Sequence, residues 1–159
     1  MVYATLESPV GLLTISGNEK GLHSVSFDPT SPVIDPAART DEPGRPTLDE
    51  AVRQLRAYFQ KKLTQFDLPL NPEGTAFQME VWRELQNIPY GSVISYGELA
   101  KLIGKPKASR AVGAANGANP IPIIIPCHRV IGSNGRMTGY GGGVRIKEAL
   151  LELERVRLF

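Results

Sequence analysis

The sequence predicts an α/β (α+β) protein in two parts, a small strand-rich N-terminal domain and a helical C-terminal domain containing a helix-turn-helix pair. Three observations predict it. Residues 1–28 alternate apolar and polar side chains in short bursts. From residue 47 onward apolar residues recur at helical spacing, and the tract "FDLPLNPEG" separates the first such helix from the next. At 159 residues with 42% hydrophobic content, the chain is long enough to bury a core in one or two small domains. The boundary is drawn near residue 73, giving domains 1–73 and 74–159.

The bursts "VYATLES", "LLTISG" and "LHSVSF", separated by "PVG" and "NEKG", read as three strands of an antiparallel meander. Prolines 29, 32, 36, 43 and 46 then break any periodicity, so residues 29–46 are expected to form a surface loop. Thr47 with Glu50 three places on reads as a capping box for the helix "LDEAVRQLRAYFQKKL", which places Leu48, Val52, Leu55, Phe59 and Leu63 on one face. Thr75 starts a second amphipathic helix, "AFQMEVWRELQNI", with Phe77, Val81, Trp82, Leu85 and Ile88 inward, and "PYGS" ends it. "SYGELAKLIG" follows as a short helix with Leu99, Leu102 and Ile103 inward; "GKPK" breaks it, and "ASRAVGAANGAN" forms the next helix. Two short helices joined by such a turn fit a helix-turn-helix or an ordinary αα corner. The small side chains of the second helix allow a backbone to approach another surface closely, while Arg110, Asn116 and Asn119 supply its only long polar groups, so only a weak sequence preference is expected.

Charge is unevenly distributed. Residues 1–100 hold 8 Lys/Arg against 13 Asp/Glu, whereas residues 101–147 hold Lys101, Lys105, Lys107, Arg110, Arg129, Arg136, Arg145 and Lys147 with no acidic residue. Such polarity suits a polyanion, since Lys and Arg contacts to phosphates release condensed counterions; a solvated basic face is the plainer alternative. No apolar run of 18 residues occurs, and Glu7 stands where a signal peptide would carry a basic head, so a cytoplasmic protein without a membrane partner is expected. The single cysteine excludes an internal disulfide, and with only His23 and His128 beside it a four-ligand Cys/His zinc site is excluded too.

That cysteine stands in "NPIPIIIPCHRV". Pro120, Pro122 and Pro126 remove three backbone donors, so this β-branched run is expected to be buried, extended and outside any regular ladder. Pro126 suits the first turn of a short helix, where the helix dipole and the flanking Arg129 would favour a Cys127 thiolate. From position alone the thiol fits a nucleophile and a core residue equally well. Adjacent side chains diverge, so His128 would reach the sulfur through a bridging water. Glu148, Glu152 and Glu154 on the terminal helix are each candidates to orient the imidazole, and spacing does not choose among them. "GYGGGVR" offers bare backbone and Tyr140 to line a pocket, or a flexible connector.

Taken in order and spacing, "SYGELAKLIG", "SRAVGAANGANP", "PCHRV" and "GYGGG" before a Leu-rich helix ending in Glu resemble the O6-alkylguanine-DNA alkyltransferases, most closely over residues 75–159. The resemblance implies a ribonuclease-H-like N-terminal domain and a winged helix-turn-helix. It implies irreversible, single-turnover transfer of an alkyl group from O6-alkylguanine, and from O4-alkylthymine, to Cys127 in flipped-out DNA, without cofactor or metal. His128 is then the base through water, Glu154 its orienting group, and Asn119 a brace between the helix pair and the active-site segment. Arg110 resembles the finger that fills the extruded nucleotide's space, and Tyr96 the residue that presses on the target phosphate and donates a proton to the departing guanine. Ser109, Ala111, Asn116 and Gly117 fall on the DNA-binding helix; Tyr140 and the Val130 backbone resemble pocket wall and exocyclic-amine acceptor. Gly141 stands where some relatives carry a serine, leaving only its backbone N–H near O6. The implied partner is double-stranded DNA, bound by a monomer through the minor groove without an obligate protein partner. The alternatives are a turnover Cys-His hydrolase, against which the adjacent Cys-His order argues, and a non-catalytic helix-turn-helix lesion-binding protein, whose relatives lack the acceptor thiol that Cys127 supplies.

Overall fold

The computed structural model describes residues 1–27, 42–132 and 143–156. The chain divides into two compact units, Met1–Glu73 and Gly74–Phe159.

In the first unit, β1 (Val2–Ser8), β2 (Gly11–Asn18) and β3 (Gly21–Ser26) form an antiparallel meander in the order β1-β2-β3. Alternation buries Val2, Ala4 and Leu6 of β1 with Leu13 and Ile15 of β2. The helix α1 (Arg45–Phe59) packs across these strands through Leu48, Ala51, Leu55 and Tyr58. Each such large apolar side chain taken from water contributes about 1.5–3 kcal/mol. Behind β3, residues 69–71 add a further bridge: Leu22 N–H donates to Pro69 O (2.9 Å) and Asn71 N–H to Leu22 O (2.7 Å). The approach is close enough that a Cβ at Gly21 would lie 2.7 Å from Pro69 O.

The start of α1 differs from the sequence expectation. Its N-cap is Gly44, at φ 93°, with Pro46 in the first turn; Thr47 does not cap it. Proline fits the first helical turn because its missing N–H would have had no partner there, and Gly44 permits a left-handed residue against Asn18, whose Cα a Cβ would meet at 2.8 Å. Glu50 therefore accepts from Arg53 Nε and Gln54 Nε2 within the helix. The helix also stops at Phe59 rather than running to Leu63, and Gln54 and Tyr58 take inward positions while Val52, Phe59 and Leu63 stay half-buried. Of the 29–46 loop, residues 29–41 lie outside the described residues.

The second unit opens as the sequence suggests. Thr75 caps α2 (Ala76–Leu85) in a reciprocal capping box with Gln78, and Val81, Trp82 and Leu85 face inward. Trp82 Nε1 donates to Ala115 O at 2.8 Å, which satisfies its one polar atom in the core. Ser95 and Glu98 form a second capping box at the start of α3 (Tyr96–Leu102), and α4 (Ser109–Gly117) packs against α2 and α3. Leu99 and Ala100 are the buried residues of α3; Leu102, expected inward, is 58% exposed. The two-residue strands β4 (Ile94–Ser95) and β5 (Val130–Ile131) pair in parallel, Ile94 with Val130 and Ser95 with Ile131. That pairing fastens the start of α3 to the chain just after the cysteine. The final helix, α5 (Val144–Leu153), ends at Glu154 as its C-cap.

Candidate active site

The segment before the thiol is built by a closed circuit of hydrogen bonds. Asn119 Oδ1 accepts from Ile121 N–H (3.0 Å) and its Nδ2 donates to Ile125 O (2.8 Å). Ile125 N–H donates to Ile121 O (2.9 Å), and Cys127 N–H to Ile125 O (2.8 Å) across Pro126 at φ −81°, ψ 64°, an inverse γ-turn. Closing the Ile121–Ile125 turn puts Ile123, a buried β-branched residue, at φ 74°. Isoleucine is rarely found there, and the strain of about 1–2 kcal/mol persists because the surrounding bonds over-determine the turn. Asn119 thus sits where a brace between α4 and the thiol segment is required.

Cys127 opens a 3₁₀ turn, Cys127–Arg129, in which all three side chains are buried. His128 Nε2–H donates to Glu154 Oε2 at 2.7 Å, so of the three glutamates the fold brings Glu154 to the imidazole. Glu154 also receives Arg129 Nε on Oε1 (2.9 Å) and Arg129 Nη2 on Oε2 (3.1 Å), while Arg129 Nη1 donates to Ile88 O (2.7 Å). Burial alone would raise the Glu154 carboxyl, but the bonds from His128 and Arg129, and their charges, hold it down at about 2. Burial pushes His128 below its ordinary value against the opposing pull of Glu154. The imidazole is therefore neutral, with Nε2–H committed to Glu154 and a basic lone pair on Nδ1, which is buried and has no hydrogen-bond partner among the described residues.

This arrangement corrects the reading of Arg129. It does not flank the sulfur as a cation but faces Glu154, because a buried guanidinium requires a carboxylate. The cation that acts on Cys127 is Lys147, whose side chain is fully buried, with Nζ donating to Val130 O at 2.6 Å and 5.9 Å from the centre of the Tyr96 ring. Burial lowers Lys147 to about 8. It also pushes the Cys127 thiol up to about 11, against a hydrogen bond from Asn119 and the charge of Lys147, so at rest the sulfur is a thiol and not the thiolate expected from a helix dipole. Lys147 was legible in principle. It lies three, four and seven residues before Leu150, Leu151 and Glu154, in the middle of the buried stripe of α5.

Ser109, Arg110, Ala111 and Gly117 of α4 are exposed, and Tyr96 is half-buried with its ring against Gly113. Asn116 is the exception on this helix. It is 1% exposed, and its Nδ2 donates to Cys127 O at 3.3 Å, so it backs the thiol and does not belong to the exposed, DNA-facing set. With Val112, Ala115 and Asn119 it makes an i, i+3, i+4, i+7 stripe, the inward face. Of the eight cations of residues 101–147, Arg129 and Lys147 are buried and Arg136 lies outside the described residues, which leaves Lys101, Lys105, Lys107, Arg110 and Arg145 as the exposed footprint. Lys105 shares its charge with Glu80 at 2.9 Å. Val130 is buried and its carbonyl carries the Lys147 ammonium. Tyr140 and Gly141 lie outside the described residues.

Fold and site define a class: helix-turn-helix proteins whose second helix backs onto a buried thiol beside a His–Glu pair. The model of the 6-O-methylguanine DNA methyltransferase ribonuclease-like domain matches residues 1–72, and that of the family's DNA binding domain matches residues 76–156. The chain belongs to the 6-O-methylguanine DNA methyltransferase family. The methylated-DNA–protein-cysteine methyltransferase of Methanosarcina acetivorans is 53% identical over 154 residues, 97% of this chain and 98% of its own. That of Mycobacterium bovis is 50% identical over 155 residues, 98% of this chain and 93% of its own. A crystal structure of Mycobacterium tuberculosis OGT in complex with DNA superposes with a TM-score of 0.81 at 50% identity, covering 96% of this chain and 92% of that one.

Proposed function

We propose that the protein reverses O6-alkylguanine lesions in double-stranded DNA by transferring the alkyl group irreversibly to Cys127. The observation that carries this reading is the buried thiol beside a neutral His128 whose Nε2–H is held by Glu154 and whose Nδ1 has no partner among the described residues. The exposed cations around α3 and α4 bind phosphates, and α4, with little side-chain bulk, enters the minor groove with weak sequence preference. The lesion rotates out of the stack, at a few kcal/mol that weakened pairing reduces. Arg110, projecting from the exposed face of α4 beside Ser109, Ala111 and Gly117, fills the gap; Tyr96 presses on the target phosphate.

With the base beside Cys127, the sulfur proton passes through one water to His128 Nδ1. The thiolate attacks the alkyl carbon, the carbon–O6 bond breaks, and its electron pair goes to the guanine, which takes a proton from Tyr96. Positioned acids and bases of this kind contribute about 10²–10⁴-fold. Lys147 supports the transient sulfur charge, and Asn119 holds the segment that carries it. The thioether is a poor leaving group, and the chain holds no second cysteine to accept the alkyl group, so each molecule acts once as a monomer. O4-alkylthymine, with a comparable alkoxy carbon, is a further substrate.

A Cys127→Ala protein tests the division between binding and chemistry. It should bind O6-methylguanine duplex as wild type does and leave the lesion in the duplex methylated. Restoration of guanine in the duplex by the variant would overturn the acceptor role.

A further inference from the structure

Next to the cysteine, an arginine, a histidine and a glutamate are buried together. The guanidinium of Arg129 lies along both oxygens of Glu154, Nε against Oε1 at 2.9 Å and Nη2 against Oε2 at 3.1 Å. Its third arm, Nη1, donates to Ile88 O at 2.7 Å in the segment after α2, and the centre of the Tyr90 ring lies 5.7 Å from its central carbon. Glu154 Oε2 also accepts His128 Nε2–H at 2.7 Å. A lysine could not make this set of contacts: only a guanidinium carries a rigid fork that spans two carboxylate oxygens and leaves another donor for a carbonyl.

Charge balance shows what the fork does to the imidazole. A histidine against a lone buried carboxylate is drawn toward its protonated form, because the negative charge favours the positive ring. With Arg129 in place the carboxylate is already neutralised: a neutral His128 leaves the trio balanced, and an imidazolium would leave one excess positive charge in the interior. The other groups facing His128 do not restore that attraction. From α5 comes the Lys147 cation, which also disfavours a charged ring; from the histidine's own turn comes the Cys127 thiol; and α2, packed against the turn, buries only Val81, Trp82 and Leu85. Geometry agrees independently. An imidazolium would carry a proton on Nδ1, which is buried with no hydrogen-bond partner among the described residues.

Resting on the function proposed above, we infer that Arg129 is a positioning residue of the transfer reaction: by sharing Glu154 with His128 it keeps the resting imidazole neutral, so that Nδ1 is free to take the sulfur proton. A ring already protonated on Nδ1 could accept nothing from the thiol, whereas a neutral one is available as a base at neutral pH. Through Nη1 the same side chain ties Glu154 to the Ile88 carbonyl, which fixes the carboxylate that orients the ring.

The test reads the imidazole directly. The chain has two histidines, so ¹⁵N NMR of the DNA-free protein gives two ring systems, which His23→Gln, a change on β3, assigns. In wild type His128 should be neutral at pH 7, with its proton on Nε2. In Arg129→Met, which keeps bulk and removes the charge, its titration midpoint should rise by about one pH unit or more. Arg129→Lys, which keeps the charge without the fork, should fall between the two. Single-turnover transfer from an O6-methylguanine duplex should follow: from pH 8 to pH 6 the Met variant should lose roughly threefold more rate than wild type, as neutral imidazole is depleted. A wild-type His128 that is an imidazolium at pH 7, or carries its proton on Nδ1, would overturn the inference without any variant. An unchanged midpoint in either variant, or a rate lowered by the same factor at every pH, would show that Arg129 only supports the fold. Failure of wild type to transfer the methyl group would sink the proposed function and leave the NMR result standing, whereas transfer with an unshifted midpoint would sink only the role of Arg129.

Discussion

Replacing Glu154 by Gln removes one negative charge from a site where it meets both His128 and Arg129, all three buried. Two routes give the magnitude. Leaving one member of a buried ion pair unpaired costs about 3–5 kcal/mol. Independently, the folded carboxyl titrates at about 2 rather than its ordinary 4.5, a difference that corresponds to about 3 kcal/mol of stability. The sign follows from proton binding: a carboxyl depressed on folding contributes fully above 4.5, where both states are ionised, and its contribution fades as pH falls toward about 2. Urea unfolding of wild type and Glu154→Gln should differ by about 3 kcal/mol at pH 7, or roughly 6–12 °C in Tm. By about pH 3 roughly half or less of that gap should remain, and carboxylates common to both proteins cancel in the difference. A gap below about 1 kcal/mol, or one that does not change between these pH values, would refute the view that Glu154 is held as a carboxylate by its two cationic neighbours.

Ile123 gives a second test. Ile123→Ala loses the buried side chain beyond Cβ and keeps the strain, whereas Ile123→Gly loses the Cβ as well and relieves it, so Gly should be more stable than Ala by about 1 kcal/mol in denaturant unfolding, the reverse of their usual order. Arg110→Ala should slow repair of a duplex lesion at least about tenfold more than reaction with a free O6-alkylguanine base, since the finger acts only where a base stack must be opened; equal losses in the two assays would contradict that role.

What was legible in the sequence was local. Strand alternation in residues 1–26, the helix starts at Thr75 and Ser95 and the break at "GKPK" depend on neighbours within a few positions, and the structure carries them. The cap at Thr47 failed because Pro46 and the close approach of Gly44 to Asn18 compete with it, and only the second of these is invisible in the chain. Long-range partners were not legible from spacing: His128 meets Glu154 across 26 residues and Arg129 meets Ile88 across 41, and family resemblance alone singled out Glu154. Lys147 and Asn116, read as part of an exposed basic or DNA-facing surface, were misplaced for a different reason. Both are polar residues on apolar helical stripes, and reading polarity as exposure hid a periodicity that places them beside the sulfur.

The central claim is that Cys127 takes up one alkyl group and keeps it. Intact-mass analysis of the protein titrated with O6-methylguanine duplex tests it most directly. The mass should rise by one methylene, on the peptide containing Cys127, and saturate at one equivalent of lesion. Continued loss of lesion beyond one equivalent, or an adduct on any other residue, would contradict it.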